Sequence, residues 1–100
     1  MNYSIDRKDG ETVVVFTGKL LYSDHKKFLE LLETVLPTGG AACAFDLGAL
    51  EFIDSTGLGM LVLANDAALK KGLRISLRHA RGQVRTLLER AEFATIMSVE

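Results

Sequence analysis

Hydrophobic and polar positions along the chain change their spacing several times, and each change marks a predicted element. Residues 12–17 are rich in Val and Phe, and residues 73–78 alternate apolar with polar or charged side chains, as strands do. Residues 24–36 instead place apolar side chains three and four positions apart, which predicts an amphipathic helix capped by Ser23. Strands and helices therefore alternate along the chain.

The remaining periodic segments extend this alternation. They are predicted strands at 3–7, 42–47 and 93–99 and predicted helices at 55–71 and 81–91. Asp9-Gly10 is typical of a tight turn between the first two strands, and the run 37–40, Pro-Thr-Gly-Gly, ends the first helix. The resulting order is β-β-α-β-α-β-α-β, which implies right-handed βαβ crossovers. We therefore expect one α/β domain over residues 1–100, a small mixed β-sheet with helices packed mainly on one face.

Composition and charge narrow the classes of function. With 48% hydrophobic residues, the chain has material for one core. The formal net charge of −1 offers no broad attraction to nucleic acid or to anionic membrane. The longest strongly apolar run, 58–64, is far short of the roughly 20 residues that a membrane span requires. No basic region followed by an apolar stretch opens the chain, so we expect a cytoplasmic location.

The cysteine content excludes an internal disulfide. Cys43 is the single cysteine of the sequence and lies in the apolar run 41–45. A small buried thiol is the simplest interpretation of such a position.

The segment between the third strand and the second helix carries candidate chemistry. Residues 54–56, Asp-Ser-Thr, are all good helix caps, and Gly57 and Gly59 follow at once. Each glycine costs a helix roughly 1 kcal/mol relative to alanine, which indicates that something approaches the backbone closely. The run 60–64 is apolar on every side, so both faces of the helix must be covered, by the sheet and by neighbouring helices or a partner. An ordinary capped helix with glycines used for packing would also explain the segment.

A longer stretch that includes this segment resembles the signature of a known family. Phe52-Ile53-Asp54-Ser55-Thr56-Gly57-Leu58-Gly59 closely resembles the signature loop of the STAS domain, named after sulphate transporters and anti-sigma-factor antagonists. Segments 13–20, 44–47 and 72–75 resemble the family's strands before and after that loop. A free-standing domain of this size resembles the bacterial antagonist branch.

The resemblance implies a function in transcription regulation and signal transduction by partner switching. By position, Ser55 would be phosphorylated by a partner that is both serine kinase and anti-sigma factor. The unphosphorylated form would bind that partner and free a sigma factor, and a serine phosphatase would reset the phosphoprotein. We expect no enzyme activity, no cofactor and no metal.

The expected partner surface combines the signature with an exposed helix face. Leu58, Leu61, Val62 and Leu69 share one helical face and are the expected core set, which leaves Met60 and Leu63 towards the other side as apolar anchors. The partner-binding residues expected on this basis are Asp54, Ser55, Thr56, Gly57, Leu58, Gly59, Met60 and Leu63.

The sequence also departs from the antagonist pattern. Many antagonists carry acidic residues where Lys19 and Leu21 stand here, and a Gly-Leu pair where Glu92-Phe93 stands. The first departure lies in a region expected to touch the partner, so it leaves the identity of that partner open.

The sequence supports three other classes of function less well. Ser55 with His25 or His79 and Asp46 or Asp54 supplies the residue types of a catalytic triad, but the serine lacks the Gly-x-Ser-x-Gly elbow. Glycine pairs occur without a nucleotide-binding motif around them. A basic patch near the last strand and helix is diluted by glutamates; its arginines are Arg74, Arg78, Arg81 and Arg85. The main alternative is a STAS module in a transporter or signalling scaffold, with Ser55 never phosphorylated.

Overall fold

A single mixed sheet organises the protein, whose computed structural model describes residues 1–36 and 42–100. The strands of the described chain follow one another in the sheet in sequence order. They are β1 (Asn2–Lys8), β2 (Glu11–Leu20), β3 (Ala42–Ile53), β4 (Arg74–Arg78) and β5 (Ser98–Val99). The first pair is antiparallel, and the other three pairs are parallel.

Helices make the crossovers between the parallel strands. They are α1 (His25–Val35), α2 (Ser55–Leu69) and α3 (Gly82–Arg90), with 3₁₀ turns at Tyr22–Asp24 and Phe93–Thr95. This is the predicted order of strands and helices, and the predicted fold class is confirmed. The Asp9-Gly10 turn is confirmed as well, because both residues have positive φ, 53° and 78°, as a two-residue hairpin turn of this kind requires.

One face of the sheet carries the core. Phe16 and Phe45 meet edge to face with ring centroids 5.1 Å apart, and Phe28 of α1 lies 6.2 Å from each of them. The buried apolar side chains of all three helices belong to the same hydrophobic cluster, among them Leu61 and Val84. The helices therefore pack mainly on one face, as expected.

The opposite face of the sheet is wetter and carries an ion pair. The Arg78 guanidinium donates two hydrogen bonds to the Glu11 carboxylate, at 2.9 and 2.7 Å. These hydrogen bonds lower the pKa of the Glu11 carboxyl. On the core side, burial raises the pKa of the Cys43 thiol to about 11, and the residue is only 1% exposed. Cys43 is thus the small buried thiol that its apolar surroundings predicted.

The start of the first helix differs from the prediction. Ser23 is not its cap, because a 3₁₀ turn precedes α1 and places Asp24 at the N-cap position. The Asp24 carboxylate instead accepts a hydrogen bond from the backbone N–H of Leu21 at 2.9 Å. The predicted stop at 37–40 lies outside the described residues.

Two other boundaries differ from the prediction. β3 runs to Ile53 and not to residue 47, because β2 continues to pair with it across two register shifts. The closing strand expected at 93–99 is only Ser98–Val99. Phe93 and Met97 are the buried residues of that segment, whereas Thr95, which would share their face in a strand, is exposed, so the segment does not have the alternation of a strand.

Candidate functional site

The start of α2 is held by Asp54. Its backbone is extended, and its side chain accepts a hydrogen bond from the N–H of Gly57 at 2.7 Å, which is the geometry of an N-cap. Ser55 is the first residue of the helix and is exposed. Within the described residues no hydrogen bond engages its hydroxyl, so the side chain is available at the positive end of the helix dipole.

The same carboxylate ties a second loop to the helix start. The other oxygen of Asp54 accepts a hydrogen bond from the backbone N–H of Tyr22 at 3.2 Å. The backbone N–H of Asp54 in turn donates to the carbonyl of Leu20 at 3.3 Å. The turn after β2 is thereby fixed beside Ser55. It presents the Tyr22 side chain, which is 73% exposed.

The two signature glycines play different parts. A Cβ at Gly57 would lie 2.5 Å from Cγ1 of Ile53 and 2.7 Å from the carbonyl oxygen of Leu20, so no larger residue fits without a shift. A Cβ at Gly59 would meet no described atom within 4 Å. The expected close approach is confirmed at Gly57, where the approaching atoms belong to the chain itself.

The orientation of α2 corrects the expected apolar anchors. Met60 is only 2% exposed and belongs to the core, so its placement on the free side of the helix is wrong. Leu63 is 41% exposed, as expected for a free face. Leu69, expected in the core, is 54% exposed. The residues that α2 buries are Gly57, Met60, Leu61, Ala64, Asn65 and Ala68.

The other signature residues surround the serine. Thr56 and Leu58 are half-buried, and Gly59 is exposed one turn beyond Ser55. Together with Tyr22 and with Leu63, which lies about two turns beyond Ser55, they make up the candidate surface.

Sequence reasoning missed two residues of this site. One is Tyr22, whose only signal was an aromatic residue beside the turn that precedes α1. The other is Gln83 of α3, whose side-chain amide accepts from the N–H of Ile53 at 3.0 Å and donates to its carbonyl at 2.8 Å. A lone glutamine near the start of a helix carries no sequence signal for this contact.

Several residues of the alternative sites have other partners. His79 Nδ1 lies 3.1 Å from Oδ2 of Asp46, and among the described residues no hydrogen bond links a histidine to Ser55. Of the arginines in the supposed basic patch, Arg78 is paired with Glu11, and Arg85 lies 3.2 Å from Glu89. This pairing favours a solvated face over a nucleic-acid site.

A surface groove also lies away from Ser55. Its volume is about 530 Å³, and it lies beside α3 and the C-terminal segment, with Leu88, Phe93 and Val99 in its lining. No residue of the Ser55 site lines it. None of the helices in the described chain has the length and apolar character to cross a membrane.

Comparison with known families covers nearly the whole chain. A family model described as "Mlab, STAS domain" matches residues 3–98. The chain belongs to the STAS family. A curated relative of this STAS domain is a STAS-domain containing protein of Pseudomonas aeruginosa (strain UCBPP-PA14). The two are 28% identical over 92 residues, which are 91% of this chain and 90% of the relative.

Solved structures share the fold of this STAS domain. An anti-sigma factor antagonist from Mycobacterium paratuberculosis matches with a TM-score of 0.82 at 20% identity, over 98% of this chain and 83% of that one. The anti-sigma factor antagonist SpoIIAA in its unphosphorylated form matches with a TM-score of 0.74 at 15% identity, over 99% and 87%. A sulfate transporter family protein from Wolinella succinogenes matches with a TM-score of 0.77 at 17% identity, over 92% and 77%. At these identities the likeness concerns the fold.

Proposed function

We propose that this STAS domain is an anti-sigma-factor antagonist whose binding to its partner is switched off by phosphorylation of Ser55. The observation that carries the proposal is that two neighbouring residues have separate roles at the start of α2. Asp54 caps the helix, while the neighbouring Ser55 is exposed and its hydroxyl is not needed for the cap. A kinase can therefore modify Ser55 without dismantling the helix.

A phosphate at Ser55 would suit the domain itself. It adds about −1.5 to −2 charges at neutral pH. The helix N-terminus offers free N–H groups and the positive end of the dipole, which stabilise a negative charge by roughly 0.3–2 kcal/mol. The phosphorylated domain is expected to stay folded.

The same phosphate would oppose a partner. The surface around Ser55 includes the exposed side chains of Tyr22 and Leu63 and the bare backbone at Gly59. A partner packed there would bury the phosphate, and an unpaired buried charge costs several kcal/mol. The carboxylate of Asp54 beside it increases the negative charge that the partner would have to desolvate. The loss at the interface exceeds the gain at the helix terminus, so phosphorylation blocks association.

The proposed partner surface keeps most of the signature residues and revises the anchors. Asp54, Ser55, Thr56, Leu58 and Gly59 remain in it, and Gly57, expected there from the sequence, is withdrawn because α2 buries it against Ile53 and Leu20. Leu63 remains as an apolar anchor, Tyr22 is added, and Met60 is withdrawn because it is buried. The proposed partners are an anti-sigma factor with serine kinase activity and a serine phosphatase, and this cycle would take place in the cytoplasm.

The assignment of the acceptor is tested on the protein isolated from the cells that make it. Phosphate mapped by mass spectrometry is expected on Ser55 and not on Thr56, which is half-buried. A Ser55→Ala variant isolated in the same way is the control and is expected to carry none. Phosphate mainly on Thr56 would falsify the assignment to Ser55.

A passive STAS module is the second candidate, and two observations favour it. The fold matches a sulfate transporter family protein as well as antagonists, and the exposed Lys19 stands where many antagonists are acidic. In that case Ser55 carries no phosphate under any growth condition. The mass-spectrometric experiment therefore separates the two functions.

A further inference from the structure

The carboxyl end of β3 has a strand neighbour on one side only. β4 pairs with β3 as far as Asp46, opposite Arg78, and then ends. β3 continues for seven more residues to Ile53, paired there with β2. The open side of this extension leads directly to Asp54 and Ser55, so whatever covers it also borders the proposed switch.

Gln83 occupies the last position of that open side. Its Oε1 accepts from the backbone N–H of Ile53 at 3.0 Å, and its Nε2 donates to the Ile53 carbonyl at 2.8 Å. Exchange of both backbone groups of one residue is what a neighbouring strand would provide. One side chain from α3 thus replaces a strand at this residue.

The position of Ile53 is transmitted to the helix start by close packing. The Ile53 side chain is fully buried and presses against Gly57 so closely that a Cβ there would lie 2.5 Å from its Cγ1. The N–H of Gly57 is the donor to the Asp54 cap. A shift of Ile53 therefore displaces Gly57 and the Asp54 cap bonded to it, and with them Ser55, which follows Asp54 in the chain.

We propose that Gln83 is a positioning residue that holds the Ser55 loop in the geometry in which the partner meets it. The inference rests on the proposed function only where it says that the loop geometry serves partner binding. The placement of the loop by Gln83 is a property of the free protein. It can be measured without any kinase or partner.

The first test replaces the amide with an apolar side chain of similar length. Gln83→Met leaves the N–H and C=O of Ile53 unpaired, and Arg90→Met, at an exposed position of the same helix, is the matched control. Amide hydrogen exchange of the full chain is measured by NMR. We expect exchange at Ile53 to accelerate about tenfold in Gln83→Met relative to Arg90→Met. We also expect the amide resonance of Gly57 to move.

Unchanged Ile53 and Gly57 amides, with a lower melting temperature, would overturn the proposal, because Gln83 would then serve only the stability of α3. A second variant keeps the test decisive if Gln83→Met does not fold. In Gln83→Glu, a protonated carboxyl can still donate to the Ile53 carbonyl and accept from its N–H, whereas a carboxylate has no proton to donate.

The ionised form of that variant is therefore disfavoured in the folded protein, and the pKa of the introduced carboxyl is raised. We expect the Gly57 resonance of Gln83→Glu to match the wild type at about pH 4, near the ordinary pKa of a glutamate, and to depart from it at about pH 7. An equal difference at both pH values contradicts positioning through the two hydrogen bonds. If the resonances behave as expected and Ser55 is never phosphorylated, the proposed function fails while the positioning role stands.

Discussion

The carboxylate of Asp54 accepts a hydrogen bond from the backbone N–H of Gly57 at 2.7 Å and thereby caps the helix that begins at Ser55. We therefore expect Asp54→Ala to lower the free energy of unfolding by about 0.5–2 kcal/mol. Ser55→Ala and Ser55→Asp should change it by less than about 0.5 kcal/mol, as at other surface positions. Urea unfolding measures the difference, with Asp54→Asn as the control that keeps a capping side chain. A loss in Ser55→Ala as large as in Asp54→Ala would show that the serine is the cap.

The two Ser55 variants are expected to differ in binding although both fold. Ser55→Ala cannot be phosphorylated at this position and should bind the proposed anti-sigma-factor partner at all times, whereas Ser55→Asp places a negative charge in the proposed interface and should bind weakly. Titration calorimetry with the purified partner gives both affinities. If Ser55→Asp binds as tightly as the unmodified wild type, charge at this position is not the switch.

The two signature glycines should respond in opposite ways to alanine. Gly57→Ala forces a Cβ against Ile53 and Leu20, and such overpacking typically costs about 1–3 kcal/mol. At Gly59 the added methyl group meets no described atom, so Gly59→Ala should stabilise the helix by up to about 1 kcal/mol. If the partner packs on the Gly59 backbone, the more stable variant binds it less tightly. Thermal unfolding and a binding assay on each variant check both statements, and equal stability changes at the two glycines would contradict them.

Lysine substitutions at Met60 and Leu63 are expected to have different effects, the first on stability and the second on partner binding. Met60→Lys puts a charge in the core, so it should lower the melting temperature strongly or prevent folding. Leu63→Lys should keep a normal melting temperature and lose partner binding, because this side chain is 41% exposed on the proposed surface. Leu69→Lys, at the far end of α2, is the control that should keep both. Undiminished binding by Leu63→Lys would remove this residue from the surface.

Cys43 should be inert in the folded protein. Its pKa of about 11 leaves only on the order of one thiol in a thousand ionised at about pH 8, and the side chain is buried. Labelling by a thiol-specific reagent at this pH should be slow in buffer and fast in concentrated urea. Equal rates in the two solutions would mean that the thiol is accessible in the native state.

The spacing of apolar residues was sufficient to locate an element that has one buried and one solvent-exposed face. The predicted helix 24–36 corresponds to His25–Val35, and the predicted strand 73–78 corresponds to Arg74–Arg78. In both, the periodicity arises because alternate faces meet core and water, so the sequence by itself locates the element. The sequence could not reveal the length of β3, because Gly48 and Glu51 interrupt its apolar pattern and pairing with β2 maintains the strand.

The signature loop could be predicted from the sequence only in part. Cap residues and glycines are local signals, so the sequence by itself located the start of α2, and the resemblance to the STAS signature singled out Ser55. It could not choose among three adjacent capping side chains, and the contacts of Asp54 with Gly57 and Tyr22 made that choice. A helix that is apolar on every side has no periodicity to show which face is buried. Only tertiary packing decided that Met60 points inward and that Gln83, 30 positions from Ile53 in sequence, closes the strand before the serine.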